Sequence, residues 1–447
     1  MIDPEKNKAI CPYLFKGALL EHSQGNIRPC CRWETDDVRG DNVWPKKNFL
    51  INKDEKYNSY FTEARQQMID GKPVYECRGC ITQEKHGIES MRTNALKNFV
   101  NDNESLIKIE DLYRKPTGLL KEITVPKLEY LEIESGRYCN LKCRSCGPEL
   151  STSWDEDLKL SKDLQNHFFG NEPKKWKNLL DEKSINQYLE SIEYDTIKDL
   201  KTVKITGGEP FLSDSVLKFL NNLVDFDIAK NIILEVFTNC SFFPKEKYRE
   251  ILPKFKRVHI ILSLDGVGEH MEFLRKKSKW EVVEKVSKYW EGLSLSNKNI
   301  YLEINHTITL YNVLYIGEFL FWIFKHFSRE LLEKHRPELG GFIKLTEVWN
   351  PSYLCVNNTS DIIKEKMLSS IKSDQILLEE KLLKLGYDEE FLLRFHIKTM
   401  FIELYDFING AGKDKVKTFI EKANMFDSIR KENWKETFPK LVKILND

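Results

Sequence analysis

Three cysteines, Cys139, Cys143 and Cys146, stand at C-x3-C-x2-C spacing within residues 138–147, directly after a strand-like run at 127–134. Thiolates at this spacing in one loop can hold three irons of a 4Fe-4S cube and leave the fourth iron without a protein ligand. A metal position kept open suits chemistry on a small molecule rather than support of the fold. A zinc site or reduced core cysteines would also account for these three residues. They would not account for Gly207-Gly208-Glu209-Pro210 at the end of a later strand.

The loop and three later segments together resemble the radical S-adenosylmethionine (SAM) family. The later segments are Ile205-Thr206-Gly207-Gly208-Glu209-Pro210, Phe237-Thr238-Asn239 and Ile261-Leu262-Ser263-Leu264-Asp265-Gly266, in the order the family shows at its strand ends. The resemblance covers residues 125–350, approximately. It implies that Cys139, Cys143 and Cys146 ligate the cluster and that SAM chelates the open iron through its amino and carboxylate groups. Gly207, Gly208, Glu209 and Pro210 would hold the SAM ammonium, the glycines allowing close backbone approach and Glu209 accepting hydrogen bonds. Thr238, Asn239, Ser263 and Asp265 would bond the ribose or methionine parts. Arg275 is a candidate for the SAM carboxylate, because a guanidinium binds carboxylates bidentately; a surface salt bridge is the plainer reading. Ser145 departs from the family, whose members often carry an aromatic residue before the third cysteine, so adenine must be recognised partly elsewhere, near Val348 at the sixth strand.

A second cysteine set lies in the first hundred residues: Cys11, then Gly25-x4-Cys30 with Cys31 beside it, then Cys77-x2-Cys80. Four thiolates from three separated segments can close around one cluster or one zinc, and spacing alone does not separate the two. Gly25 suits a tight turn. The layout resembles the twitch or SPASM auxiliary-cluster domain of radical SAM enzymes, and residues 84–94 resemble the segment that succeeds its last cysteines. That resemblance implies Cys11, Cys30, Cys77 and Cys80 as ligands of a second 4Fe-4S cluster, with zinc as the alternative; Cys31 is the alternative to Cys30, which is chosen because it satisfies the Gly-x4-Cys count. Here the set precedes the core instead of coming after it. Cys240 and Cys355 belong to neither set and read as buried structural thiols; Cys240, next to Thr238-Asn239, could also partner substrate.

Behind these sites the chain alternates strands and helices. Strands are expected at 127–134, 202–206, 232–237, 258–264, 300–308 and 342–348, with helices at 213–224, 280–293 and 313–327. Such alternation implies a parallel sheet with its functional residues at strand ends. Six units match the partial (β/α)6 barrel of the resembling family. The segment 150–201, with Trp154, Phe168, Phe169 and Trp176, exceeds one crossover helix and implies an insertion. From 360 the pattern is helical only, at 361–385 and 389–408, and residues 426–439 resemble the tail of twitch-containing proteins. The expected organisation is α/β: a twitch-like domain at 1–118, a radical SAM core at 119–357 and an all-helical cap at 358–447.

Length and charge narrow the partners. The 447 residues hold 69 basic and 69 acidic side chains, so no general basic field points to nucleic acid or an anionic membrane. No apolar run reaches the ~18 residues of a membrane helix, no signal-peptide h-region is evident, and the clustering of cysteines in metal-ligand spacings points to a reducing compartment; the expectation is a cytoplasmic protein.

The reaction implied is reductive cleavage of SAM to methionine and a 5′-deoxyadenosyl radical, which abstracts hydrogen from a C–H bond. A flavodoxin- or ferredoxin-type protein would donate the electron. The leading substrate class is a peptide, protein side chain or amino-acid derivative, because auxiliary clusters in the resembling enzymes most often serve peptide modification. The alternatives are a nucleotide, sugar or nucleic-acid base and, outside enzymes, a zinc-bound recognition scaffold. Glu303, Asn305 and Thr307 on one strand face, and Glu132 and Glu134 on another, are the polar positions that could meet substrate or simply bond backbone and water.

Overall fold

A computed structural model describes residues 9–21, 26–33, 63–85, 90–100, 128–170, 189, 192, 194–334 and 341–446. Gly25, Trp176 and the expected boundary at 118 lie outside the described residues, as do parts of the 84–94 and 150–201 stretches. Two compact units are present. The first comprises Met1–Gly136, Leu180–Gly207 and Asp214–Leu234; the second comprises Arg137–Leu179, Gly208–Ser213 and Glu235–Asp447.

The first unit carries β1 (Gly17–Glu21), β2 (Asn26–Arg28), β3 (Tyr130–Glu134) and β4 (Thr202–Thr206) in the order β2-β1-β3-β4. β1 and β3 pair in parallel, Ala18 opposite Leu131, and β3 and β4 likewise, Leu131 opposite Val203. β2 closes the edge antiparallel to β1. The sequence pattern missed β1 and β2, which are five and three residues long and sit among the N-terminal cysteines. They join the sheet because Ala18, Leu19 and Leu20 are buried there with Leu131 and Ile133.

β5 (Ile233–Thr238) runs from the first unit into the second, which continues with β6 (Arg257–Ser263), β7 (Ile300–Ile308) and β8 (Ile343–Glu347). β6–β7 and β7–β8 are parallel, with Leu262 opposite Ile304 and Ile308 opposite Glu347. In β7 buried Ile300, Leu302, Ile304, His306 and Ile308 alternate with half-buried Tyr301, Glu303, Asn305 and Thr307, the period-2 pattern of a strand with one apolar face. The helix Asp214–Asp225 buries Val216, Phe219, Leu220 and Leu223 at helical spacing. These elements make the chain an α/β protein.

Among the described residues beyond 360 the regular elements are all helical and belong to the second unit. The helix Asp361–Lys384 starts at Ser360, whose hydroxyl accepts the Ile363 amide. The single helix expected at 389–408 is two, Glu389–Arg394 and Ile397–Asn409. His396, at φ +53°, breaks it while the apolar spacing continues across the break, so periodicity alone could not show the interruption. Among the described residues no helix is long and apolar enough to cross a membrane.

Candidate functional site

After β3 the chain turns at Gly136, φ +100°, and enters the cysteine loop. Cys139, Leu141, Cys143 and Cys146 pack together; the first three are buried. Residues between the cysteines hold the loop's shape. The Lys142 and Arg144 amides donate to the carbonyls of Lys276 (3.1 Å) and Leu274 (2.8 Å). Carbonyls that point the other way are also satisfied: the Ser153 hydroxyl donates to Cys139 O (2.9 Å) and Ser151 to Leu141 O. Such bonds keep buried backbone groups from being orphaned.

The loop's charged side chains reach far along the sequence. Arg144, with a side chain 1% exposed, donates to Asp427 (2.5 Å) and Glu432 (2.7 Å) and lies 3.9 Å from the Phe273 ring centre. Lys142 pairs with Asp157 (2.5 Å), whose other oxygen accepts Arg430 (2.8 Å). Desolvated charges are tolerable only when paired in this way. The C-terminal stretch 427–432 is therefore part of the loop's support.

Three further motif segments meet the loop. A Cβ on Gly208 would come within 2.5 Å of Tyr138 O, so only glycine admits this approach, and the Glu209 amide donates to the same carbonyl (2.9 Å). Glu209 is fully buried and accepts from Thr238 Oγ1 (3.0 Å) and from the amides of Asn239 (2.6 Å) and Phe211 (3.3 Å), with Pro210 opening the short turn Pro210–Leu212. Asn239 Nδ2 donates to Asn140 Oδ1 (2.9 Å) and faces Cys139 Sγ (3.8 Å). Asp265 accepts the Thr307 amide (3.0 Å) and pairs with Arg275 (2.9 Å), whose guanidinium acts electrostatically on Cys143 and Cys146. Gly207, φ +104°, closes against Ser135 in the first unit. Ser263 ends β6, half-buried, and Ser145 is half-buried in the loop.

Burial sets the electrostatics. It pushes Cys139 up to about 12 and raises Cys143 and Cys146, the charges of neighbouring thiols adding to the rise at Cys139 and Cys146. Such thiols give up their protons when a thiophilic cationic group takes the proton's place. Among the described residues no three His, Cys, Asp or Glu side chains converge on a single-ion position; a cube, which binds each thiolate through a different iron, does not require one. Three mutually repelling thiols with Arg275 beside them fit such a cluster. Glu209 is raised to about 7 by burial, against the pull of its three donors and Arg275.

In the first unit Cys11, Cys30, Cys77 and Cys80 lie within electrostatic reach of one another. Burial, reinforced by neighbouring thiols, raises Cys11 to about 12 and moves Cys30 and Cys77 upward. Ile10, Leu14, Phe15, Trp33, Met68 and Val74 pack around them. Arg92 stands beside Cys11 and Cys77, paired with Glu84 and donating to Ile10 O (3.0 Å). Cys31 is exposed, beside Met91 Sδ (3.6 Å) and within reach of Glu132.

The other polar positions have partners. Glu132 pairs with Lys204 (2.9 Å), Glu303 with His259, and Asn305 accepts from Thr346 (2.6 Å). Cys240 is buried at φ +59° with its thiol on Val283 O (3.7 Å), and Cys355 is bonded to Asn357 (3.0 Å). Sequence reasoning missed Asn140, Arg144, Asp157, Asp427 and Glu432. Only Arg144 carried a signal: a cation between two buried cysteines must find a counter-charge.

No protein-family model matches the chain. It is 31% identical over 173 residues to the GTP 3′,8-cyclase of Aliarcobacter butzleri (strain RM4018), a match covering 38% of this chain and 44% of the relative. The chain thus spans less than half the length of that curated relative. Among solved structures it is similar to native anSMEcpe with bound AdoMet and Cp18Cys peptide, at 17% identity and TM-score 0.32, over 57% of this chain and 60% of that one. It is likewise similar to Streptococcus suis SuiB bound to the precursor peptide SuiA, at 17% identity and TM-score 0.33, over 72% and 64%.

Proposed function

We propose that this chain is a radical SAM enzyme acting on a C–H bond of a peptide, protein or amino-acid-derived substrate. One observation carries the reading: the cysteine loop, Gly208-Glu209-Pro210, Thr238-Asn239 and the Asp265–Arg275 pair converge on one place through direct contacts and charge. A 4Fe-4S cluster held by Cys139, Cys143 and Cys146 would supply one-electron cleavage of SAM. The chain's own residues do the rest. Glu209 ties the end of β5 to the turn at 208–212, Asn239 faces the thiol of Cys139, and Arg275 brings a buried cation to Cys143 and Cys146. Arg275 is the group on hand for a carboxylate, and burial around the loop limits water.

The N-terminal set Cys11, Cys30, Cys77 and Cys80 would hold a second cluster, as the resemblance of its layout to a twitch domain implies. A flavodoxin- or ferredoxin-type donor would reduce the enzyme in the cytoplasm. A second reading, action on a nucleotide, is favoured by the partial match to a GTP 3′,8-cyclase. Anaerobically reconstituted protein, given dithionite and SAM, is expected to release 5′-deoxyadenosine. GTP and a mixed peptide library then separate the substrates, since the true class should raise turnover. No 5′-deoxyadenosine under any of these conditions would refute the enzyme.

A further inference from the structure

The carboxamide of Asn239 is locked in one orientation, and that orientation aims a donor at sulfur. Its Oδ1 accepts two bonds from Ser241, from the backbone amide (3.0 Å) and from the hydroxyl (2.6 Å). A backbone N–H can only donate, so the oxygen must lie on that side and Nδ2 on the other. There Nδ2 meets Asn140 Oδ1 (2.9 Å) and Cys139 Sγ (3.8 Å), one hydrogen for each. Asn140 Nδ2 closes the ring by donating to Ser241 Oγ (2.8 Å). The Asn239 amide is pinned by Glu209 (2.6 Å), so the backbone cannot swing the side chain away.

We propose that Asn239 is a positioning residue for the cluster rather than a contact for SAM: its N–H···S bond to Cys139 raises the cluster's reduction potential, and Ser241 with Asn140 sets its direction. This rests on the cluster proposed above. Electron density builds on the ligating sulfurs when a cluster is reduced, so a donor aimed at one of them favours the reduced state. Both amide hydrogens of Asn239 are committed, one to Asn140 within the ring and one to Cys139. Burial of Asn239 and Cys139 keeps water from substituting for the donor.

The test is a dye-mediated redox titration, monitored by electron paramagnetic resonance, of reconstituted full-length wild type, Asn239→Ala and Ser241→Ala. Both variants should carry the wild-type iron content. Asn239→Ala should disfavour reduction about tenfold, which for one electron is about 59 mV more negative. Ser241→Ala, which frees the carboxamide to turn, should shift the same way by less, and it decides the question if Asn239→Ala does not fold. Unchanged potentials at full iron content would overturn the assignment and leave the proposed activity standing. A wild type that takes up no iron would overturn both, and the iron count shows this before any potential is read.

Discussion

The two cysteine sets solve one problem by different means. The second unit's set comes from a single loop of eight residues, Cys139 to Cys146, and the groups that brace it are polar: Arg144 with Asp427 and Glu432, Lys142 and Arg430 with Asp157, and hydroxyls on the loop's carbonyls. The first unit's set is gathered from Cys11, Cys30 and the pair Cys77 and Cys80, and among the described residues an apolar core surrounds it, with the Glu84–Arg92 ion pair beside it. A contiguous loop presents its thiols by local spacing but leaves many backbone groups to satisfy. A dispersed set depends on the packing of the segments that carry it. The first should therefore be sensitive to lost charges and the second to lost apolar volume.

Removing ligands gives the largest effects on this comparison. After anaerobic reconstitution, Cys143→Ala should lose the loop's metal and all SAM cleavage, whereas Cys77→Ser should lose only the N-terminal metal. Cys31→Ser should lose neither, because Cys31 is exposed and beside Glu132. Metal analysis and a 5′-deoxyadenosine assay read all three.

Next comes stability. Arg144→Ala leaves buried Asp427 without its cation, while Glu432 keeps Lys276 (2.6 Å), and should cost about 3–5 kcal/mol in denaturant unfolding of the metal-free chain. Arg92→Ala should cost less, about 1–3 kcal/mol, since the Glu84 side chain is 20% exposed and water can replace part of the partner. Equal losses would mean that the two sites are braced alike.

A smaller signature is the pH dependence of Glu209. Its folded value, about 7, lies above the ordinary 4.5, so its contribution to stability is full below about 4.5 and is lost as pH rises through 7. His167, His306 and His326 run the opposite way: burial lowers them to about 4, and their contribution, present above 6.5, is lost as pH falls through 4. The difference between wild type and Glu209→Gln isolates the carboxyl. Wild type should lose stability relative to the variant between pH 4.5 and 7, as read by urea unfolding across that range. Smallest of all, Ser153→Ala removes one hydroxyl from Cys139 O and should cost about 1 kcal/mol in the same assay.

The segments that meet at the cysteine loop were legible in the sequence because their types and spacings are constrained together, as in Cys139-x3-Cys143-x2-Cys146 and Gly207-Gly208-Glu209-Pro210. β7 was legible to the residue, since its alternation has no helical counterpart. The bracing was not. Asp427 lies 283 positions from Arg144, and a lone aspartate in a helix reads as solvated until the fold buries it. Glu209 accepts from Thr238, Asn239 and Phe211, protein contacts that only geometry reveals.

The most direct test counts iron, sulfide and zinc in reconstituted wild type and in the Cys139/Cys143/Cys146→Ala triple variant. Two cube-holding sites predict about eight irons per chain in wild type and about four in the variant, with no zinc. Zinc in the variant would contradict the N-terminal cluster, and equal iron in both proteins would contradict the cysteine loop as a cluster site.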